Sequence, residues 1–288
     1  MTTAKYIFDT SGEAARLQIQ AEVWGNEVEA MLDAVGLEPG ASCVEIACGS
    51  AGILEPLSKR VGPRGRVVAV DTTPHILEAA RAYCLARDLG NVEFVHADAG
   101  RTPLPRGSFD FVHSRFLLLL GPRYKEFLSE MIELARPGGV VCCEESDQDS
   151  WNYFPTPPSW PDAKLLIERA FKALDGDPNF ARRLVPLLRG AGLEDVRVRA
   201  AVNALQDSHP YMQMPLIVLH GMRETILKHQ LATESQLAGY IADMETAVAD
   251  PDTWETTFTV AQVWGRRPQD LRMDGPDGVS ARLASLNG

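Results

Sequence analysis

Long hydrophobic runs are missing from this sequence. Near its middle the longest uninterrupted apolar stretch is Phe116 to Leu120, far short of the roughly 20 residues a bilayer span needs, so no membrane partner is expected. Basic charge is in deficit as well: 28 Lys and Arg stand against 39 Asp and Glu, a formal net charge of -11. A nucleic-acid partner would demand a basic footprint, and the pairs Arg182-Arg183 and Arg266-Arg267 are too short to supply one. Cysteine is sparse. Cys43, Cys48, Cys84, Cys142 and Cys143 show no metal-ligand spacing, so they read as buried free thiols and no metal site is expected. Residues 1–6 lack the apolar core of a signal peptide, which points to the cytoplasm. Internal repeats and low-complexity tracts are also wanting. What is left is ordinary globular composition, 45% hydrophobic and 23% charged, over 288 residues, enough for one large domain or two small ones.

The stretch that organises the rest runs from Val44 to Gly52. Val44 and Ile46 flank Glu45 in a strand end, Gly49 and Gly52 open a tight turn, and Ile53 to Val61 continue at helical spacing. A strand that turns through glycines into a helix offers bare backbone N–H groups to a ligand's polar atoms. A strand–helix turn with no ligand is the alternative. Two later runs shift the balance. Arg66 to Val70 ends at Asp71, in the window where an acid reaches a ribose, and Asn91 to His96 leads to Asp98-Ala99. Each run delivers an acid near a strand's carboxyl end, the edge where open α/β sheets bind ligands.

In chain order, Glu45-x-Ala47-x-Gly49-x-x-Gly52, Asp71, Asp98-Ala99, Ser108-Phe109-Asp110 and Arg136-Pro137-Gly138-Gly139 resemble the motifs of class I S-adenosylmethionine-dependent methyltransferases. The resemblance covers residues 10–147 well and the remainder loosely. A dinucleotide-binding dehydrogenase would instead carry glycine at the first position and no acid two residues before it. The resemblance implies a Rossmann-like, doubly wound α/β fold whose seven-stranded sheet ends in an antiparallel strand. It implies S-adenosyl-L-methionine as cofactor and S-adenosyl-L-homocysteine as product. Glu45 would take the donor's amino group beside the turn of Ala47, Gly49 and Gly52. Asp71, with Thr72 beside it, would hold the ribose. Asp98 and the Ala99 N–H would read adenine, and Ile76 would face it or simply pack in the core. Ser114 and Gln20 complete the expected cofactor set. Ala47 stands where the family usually has its first glycine, and alanine is small enough to keep the turn.

The expected organisation is a single domain over residues 1–267, with a helical lid (1–40), a cofactor-binding core (41–147) and an acceptor-side half (148–267). Glu13 to Leu32 has helical periodicity. Strands are expected at 42–46, 66–70, 92–96, 109–113, 140–143, 196–202 and 256–264. Helices are expected at 50–61, from Thr73-Pro74 to about Leu89, and at 124–135, 162–174 and 180–191. A helical insertion at 209–250 would roof the acceptor pocket, or form a homodimer interface. Residues 268–288 are rich in Asp, Gly, Pro and Ser, and a disordered tail is expected.

Trp151, Tyr153, Phe154 and Trp160 lie in a proline-dense run that begins at the binding edge, so they form an acceptor wall or a plug for the sheet edge. Tyr6, Trp24 and Arg115 join the acceptor-side candidates, with helix-core packing the alternative for Trp24. Strand five ends in Glu144-Glu145-Ser146-Asp147. The resemblance maps a Glu-x-Asp pattern onto Glu145 and Asp147, so Glu145 is the candidate general base and His113 the second. The expected function is methyl transfer to a small aromatic or heteroaromatic acceptor at oxygen, nitrogen or carbon. A non-methylating reaction such as cyclisation in the same fold is the alternative.

Overall fold

The computed structural model describes residues 12–273, 275 and 278–286. Two helices lead in, α1 (Glu13–Val23) and α2 (Gly25–Val35). The core then alternates β1 (Ser42–Ile46), α3 (Leu54–Val61), β2 (Arg66–Asp71), α4 (Pro74–Leu85), β3 (Val92–His96), β4 (Phe109–Arg115), α5 (Tyr124–Leu134) and β5 (Ala135–Asp147). Beyond it come β6 (Asn152–Phe154), α6 (Trp160–Lys172), α7 (Leu184–Gly190), β7 (Glu194–Ala201) and β8 (Ala204–Leu205). The insertion follows as α8 (Met214–Gly221), α9 (Arg223–Lys228) and α10 (Glu234–Ala249), and the chain closes with β9 (Trp254–Thr256), β10 (Thr259–Arg266) and α11 (Val279–Ser285).

The main sheet has seven strands in the order β3-β2-β1-β4-β5-β10-β7, and β10 runs antiparallel to both neighbours. The strand order reverses between β1 and β4, which puts a binding crevice at their carboxyl ends. Side chains alternate across the sheet. Val44, Ile46, Val112 and Val141 face one core with α5 to α7, whereas Cys43, Phe111 and Cys142 face the other with α2 to α4. A second sheet, β6-β9-β8, lies beyond the binding edge.

Several expected boundaries move. The first helix is broken at Trp24 (φ -91°, ψ 1°), directly before Gly25. The helix expected from Ser50 starts at Leu54, because the turn's positive φ values at Gly49 and Gly52 are not helical. The run at 151–161 is neither pure loop nor open wall: Asn152–Phe154 pairs with β9, and Trp160 opens α6. The expectation of a disordered tail does not hold at α11. Val279 and Leu283, one helical turn apart, are buried among the core side chains that pack on α5. Ser280 bonds Ser129 at 3.0 Å, and Lys125 Nζ donates to the Leu286 carbonyl at 2.7 Å. Low apolar content misled here, since two correctly spaced apolar residues suffice to dock a helix.

Candidate active site

β1 delivers Glu45 to the carboxyl edge fully buried, and both its oxygens accept the Ile53 N–H, at 2.9 and 3.0 Å. That carboxylate sets the shape of the turn. A Cβ on Gly52 would collide with it and with the Cys48 carbonyl, so only glycine fits there. Ala47 sits at φ +57°, a left-handed conformation that costs an L-residue about 1 kcal/mol. The turn survives its missing glycine at that cost.

Asp71, ending β2, accepts the Gly49 N–H at 3.0 Å and the Thr73 N–H at 2.9 Å, which ties the turn to the start of α4. Burial holds its carboxyl above the usual range against those donors. Ile76 is buried in the first turn of α4, while Thr72 is exposed and offers its carbonyl to His96. Asp98 does not stand free beside Ala99. Arg123 grips it through two contacts at 2.8 Å and holds its carboxyl below the usual range. Ala99 is half-buried against the core.

Helix α1 lies on the turn. Leu17 packs against Gly49, and Ser50 Oγ donates to the Ala14 carbonyl at 2.7 Å. Gln20 accepts from Arg16 at 2.9 Å, and Arg16 pairs with Glu13. Tyr6 lies outside the described residues.

The two candidate bases are not open to the crevice. His113 is fully buried beside Glu45, with Nε2 at 2.8 Å from Glu144 Oε1 and Nδ1 at 3.7 Å from Glu45 Oε1. The imidazole sits between two acids. Burial alone would lower its pKa, but these partners win and raise it, while Glu144 is held below the usual range. Gln262 continues the row by donating to Glu144, and Arg199 donates to Gln262 and pairs with Glu27 of α2. Glu145 points to the opposite face. It accepts the backbone N–H groups of Leu117, Leu118 and Leu119 at 3.1, 2.7 and 3.3 Å, and burial pushes it up to about 8. Glu145 thus caps the turn after β4, and His113 cross-links strands. Ser114 is buried with its hydroxyl unpaired, and Arg115 donates to the Gly52 carbonyl at 3.1 Å.

Of the residues expected on the acceptor side, Trp24, Trp151 and Tyr153 lie in one aromatic cluster. Trp24 Nε1 donates to the Tyr211 hydroxyl at 3.3 Å, and its ring meets Phe258, which in turn meets Trp151 and Phe116. Tyr153 packs on Trp151 and Trp160 and donates to the Met212 carbonyl at 2.7 Å. Sequence reasoning missed Phe116, Tyr211, Phe258 and Glu255. Phe116 carries φ +54°, an outlier for a bulky residue that only coordinates reveal. Tyr211 stood inside the expected insertion, unremarked beside its methionines.

Residues 43–139 match the family model of a methyltransferase domain. Over 120 residues the chain is 33% identical to demethylmenaquinone methyltransferase of Geobacillus kaustophilus, a match covering 42% of this chain and 51% of that protein. The enzyme of that name from Listeria monocytogenes is 32% identical over 124 residues, covering 43% and 50%. The chain thus spans about half the length of the curated relatives it matches. Among solved structures, phosphoethanolamine N-methyltransferase 2 of Haemonchus contortus, in complex with S-adenosyl-L-methionine, superposes with a TM-score of 0.56 at 14% identity, covering 93% of this chain and 61% of that one. A putative methyltransferase from Bacillus halodurans gives 0.56 at 17% identity, covering 83% and 98%, and the [4+2]-cyclase SpnF gives 0.50 at 17%, covering 84% and 81%. At these identities the structural likeness speaks for the fold. Residues 43–139 are thus similar to a methyltransferase domain, and the seven-stranded sheet that carries them has the fold of these S-adenosylmethionine-dependent methyltransferase structures.

Proposed function

We propose that this chain transfers the methyl group of S-adenosylmethionine to a small aromatic or heteroaromatic acceptor and releases S-adenosylhomocysteine. One observation carries the reading: the turn from Ala47 to Gly52 is held between two acids, the buried Glu45 and the half-buried Asp71, at the point where the strand order reverses. The residues fit such a donor. Gly49 and Gly52 leave the backbone bare, and a buried Glu45 carboxylate beside them suits an ammonium group. Asp71 would accept the ribose hydroxyls, with Ile76 under the adenine and Ala99 at its edge. Asp98 would share its oxygens with Arg123.

A bound sulfonium donor supplies an intrinsically reactive methyl group, so alignment in a dry site can provide much of the catalysis. The chain's residues supply that alignment. Leu17 lies against Gly49, so α1 covers the turn that would hold the donor. Trp24, Phe116, Phe258 and Trp151 wall the acceptor side and exclude water.

The test is label transfer from methyl-labelled donor to a panel of aromatic acceptors. Label in product supports the proposal. Donor binding with no transfer to any acceptor, and a rearranged substrate instead, would favour the cyclisation reading that the likeness to SpnF suggests.

A further inference from the structure

The second sheet brings to the aromatic wall a carboxylate that no strand-end motif points to. Glu255 of β9 is wholly buried, and its Oε2 accepts the Trp151 indole N–H at 3.1 Å. Its Oε1 has no partner. The neighbouring Tyr153 hydroxyl is close enough to favour the charged form of Glu255, but its single proton goes to the Met212 carbonyl at 2.7 Å. An unpaired buried carboxylate oxygen is costly unless something donates to it. Arg115 adds the opposite case, since one of its terminal nitrogens is buried without an acceptor. The charges of Arg16, Arg115 and Glu255 are each felt at the Tyr211 hydroxyl.

We propose that Glu255, rather than either strand-five acid, is the acceptor-side acid: its Oε1 takes the hydrogen bond, and then the proton, of a neutral planar acceptor bearing an O–H or N–H. The inference rests on the methyl-transfer reading above. A neutral acceptor is specified because the atom to be methylated must carry both a lone pair and the proton that Oε1 takes. It would enter by the cleft of about 210 Å³ between α1 and α8, lined by Arg16, Ile19, Tyr211 and Met214. In the step, the acceptor's lone pair forms the new bond to the methyl carbon as the carbon–sulfur bond breaks. That electron pair stays on sulfur, which becomes a neutral thioether, and the acceptor's proton passes to Glu255. Burial raises this carboxyl to about 7, a value suited to accepting a proton near neutrality.

The experiment uses the full chain saturated with S-adenosylhomocysteine and follows tryptophan fluorescence during titration with naphthol, with its methyl ether, and with phenyltrimethylammonium. Naphthol is expected to bind at least about tenfold more tightly than the ether, which cannot donate. Glu255→Gln should bind the two within about threefold of each other while keeping the wild-type S-adenosylhomocysteine affinity. Trp151→Phe, which frees Oε2 as well, should retain the preference for naphthol. Equal binding of naphthol and ether by the wild type, no binding of either, a preference for the cation, or an unchanged preference in Glu255→Gln would each overturn the proposal. Failure of S-adenosylhomocysteine to bind the wild type would instead remove the methyl-transfer reading beneath it.

Discussion

Glu145 is the residue at which sequence and structure part most sharply. Its place at the end of strand five suggested a base, yet three backbone N–H groups converge on it. Glu145→Ala should therefore destabilise by about 2–4 kcal/mol, since it leaves buried donors unpaired and a cavity behind. Urea denaturation measures this directly, and Glu145→Gln should stay within a few-fold of wild-type turnover. A hundredfold loss in the Gln variant would restore the catalytic role. Ala47→Gly should raise stability by up to about 1 kcal/mol by relieving a left-handed alanine, seen as a rise of about 2 °C in melting temperature. The acids at 45 and 71 were legible because their spacing from strand ends is fixed by the chain's own periodicity. Glu255 was not, because only tertiary pairing of β9 with β6 sets it against Trp151.

At the scale of elements, the row Glu45, His113, Glu144, Gln262 and Arg199 ties β1, β4, β5, β10 and β7 together on the α2 face. The sign of its pH dependence follows from the two shifts. His113 is raised above 6.5, so its contribution is full below that value and is lost as pH rises through the folded pKa. Glu144 is lowered from 4.5, so its contribution is present above that value and lost as pH falls. The melting-temperature gap between wild type and His113→Gln should be widest between 4.5 and 6.5 and narrow toward alkaline pH. A gap that widens with pH would contradict the cation-between-acids arrangement. Helix α11 gives the second test at this scale. Removing residues 268–288 should lower the melting temperature by several degrees, because Val279 and Leu283 leave the core. Here composition concealed what spacing would have revealed: polar residues outnumber the two that dock.

For the whole molecule, the strands' positions along the chain were readable from alternation and turn residues, while the packing of α1 on the turn was not. Nothing in a helical periodicity says that Leu17 will rest on Gly49. The architecture makes donor binding the property on which every other assignment depends. Calorimetric titration of S-adenosylhomocysteine into the full chain, beside the Asp71→Ala variant, reads it most directly. The account predicts saturable one-site binding by the wild type, no response to NAD, and an affinity at least about tenfold weaker in the variant, from the loss of charge-assisted hydrogen bonds to the ribose. Equal affinity in the two proteins, or tight NAD binding with no response to S-adenosylhomocysteine, would contradict it.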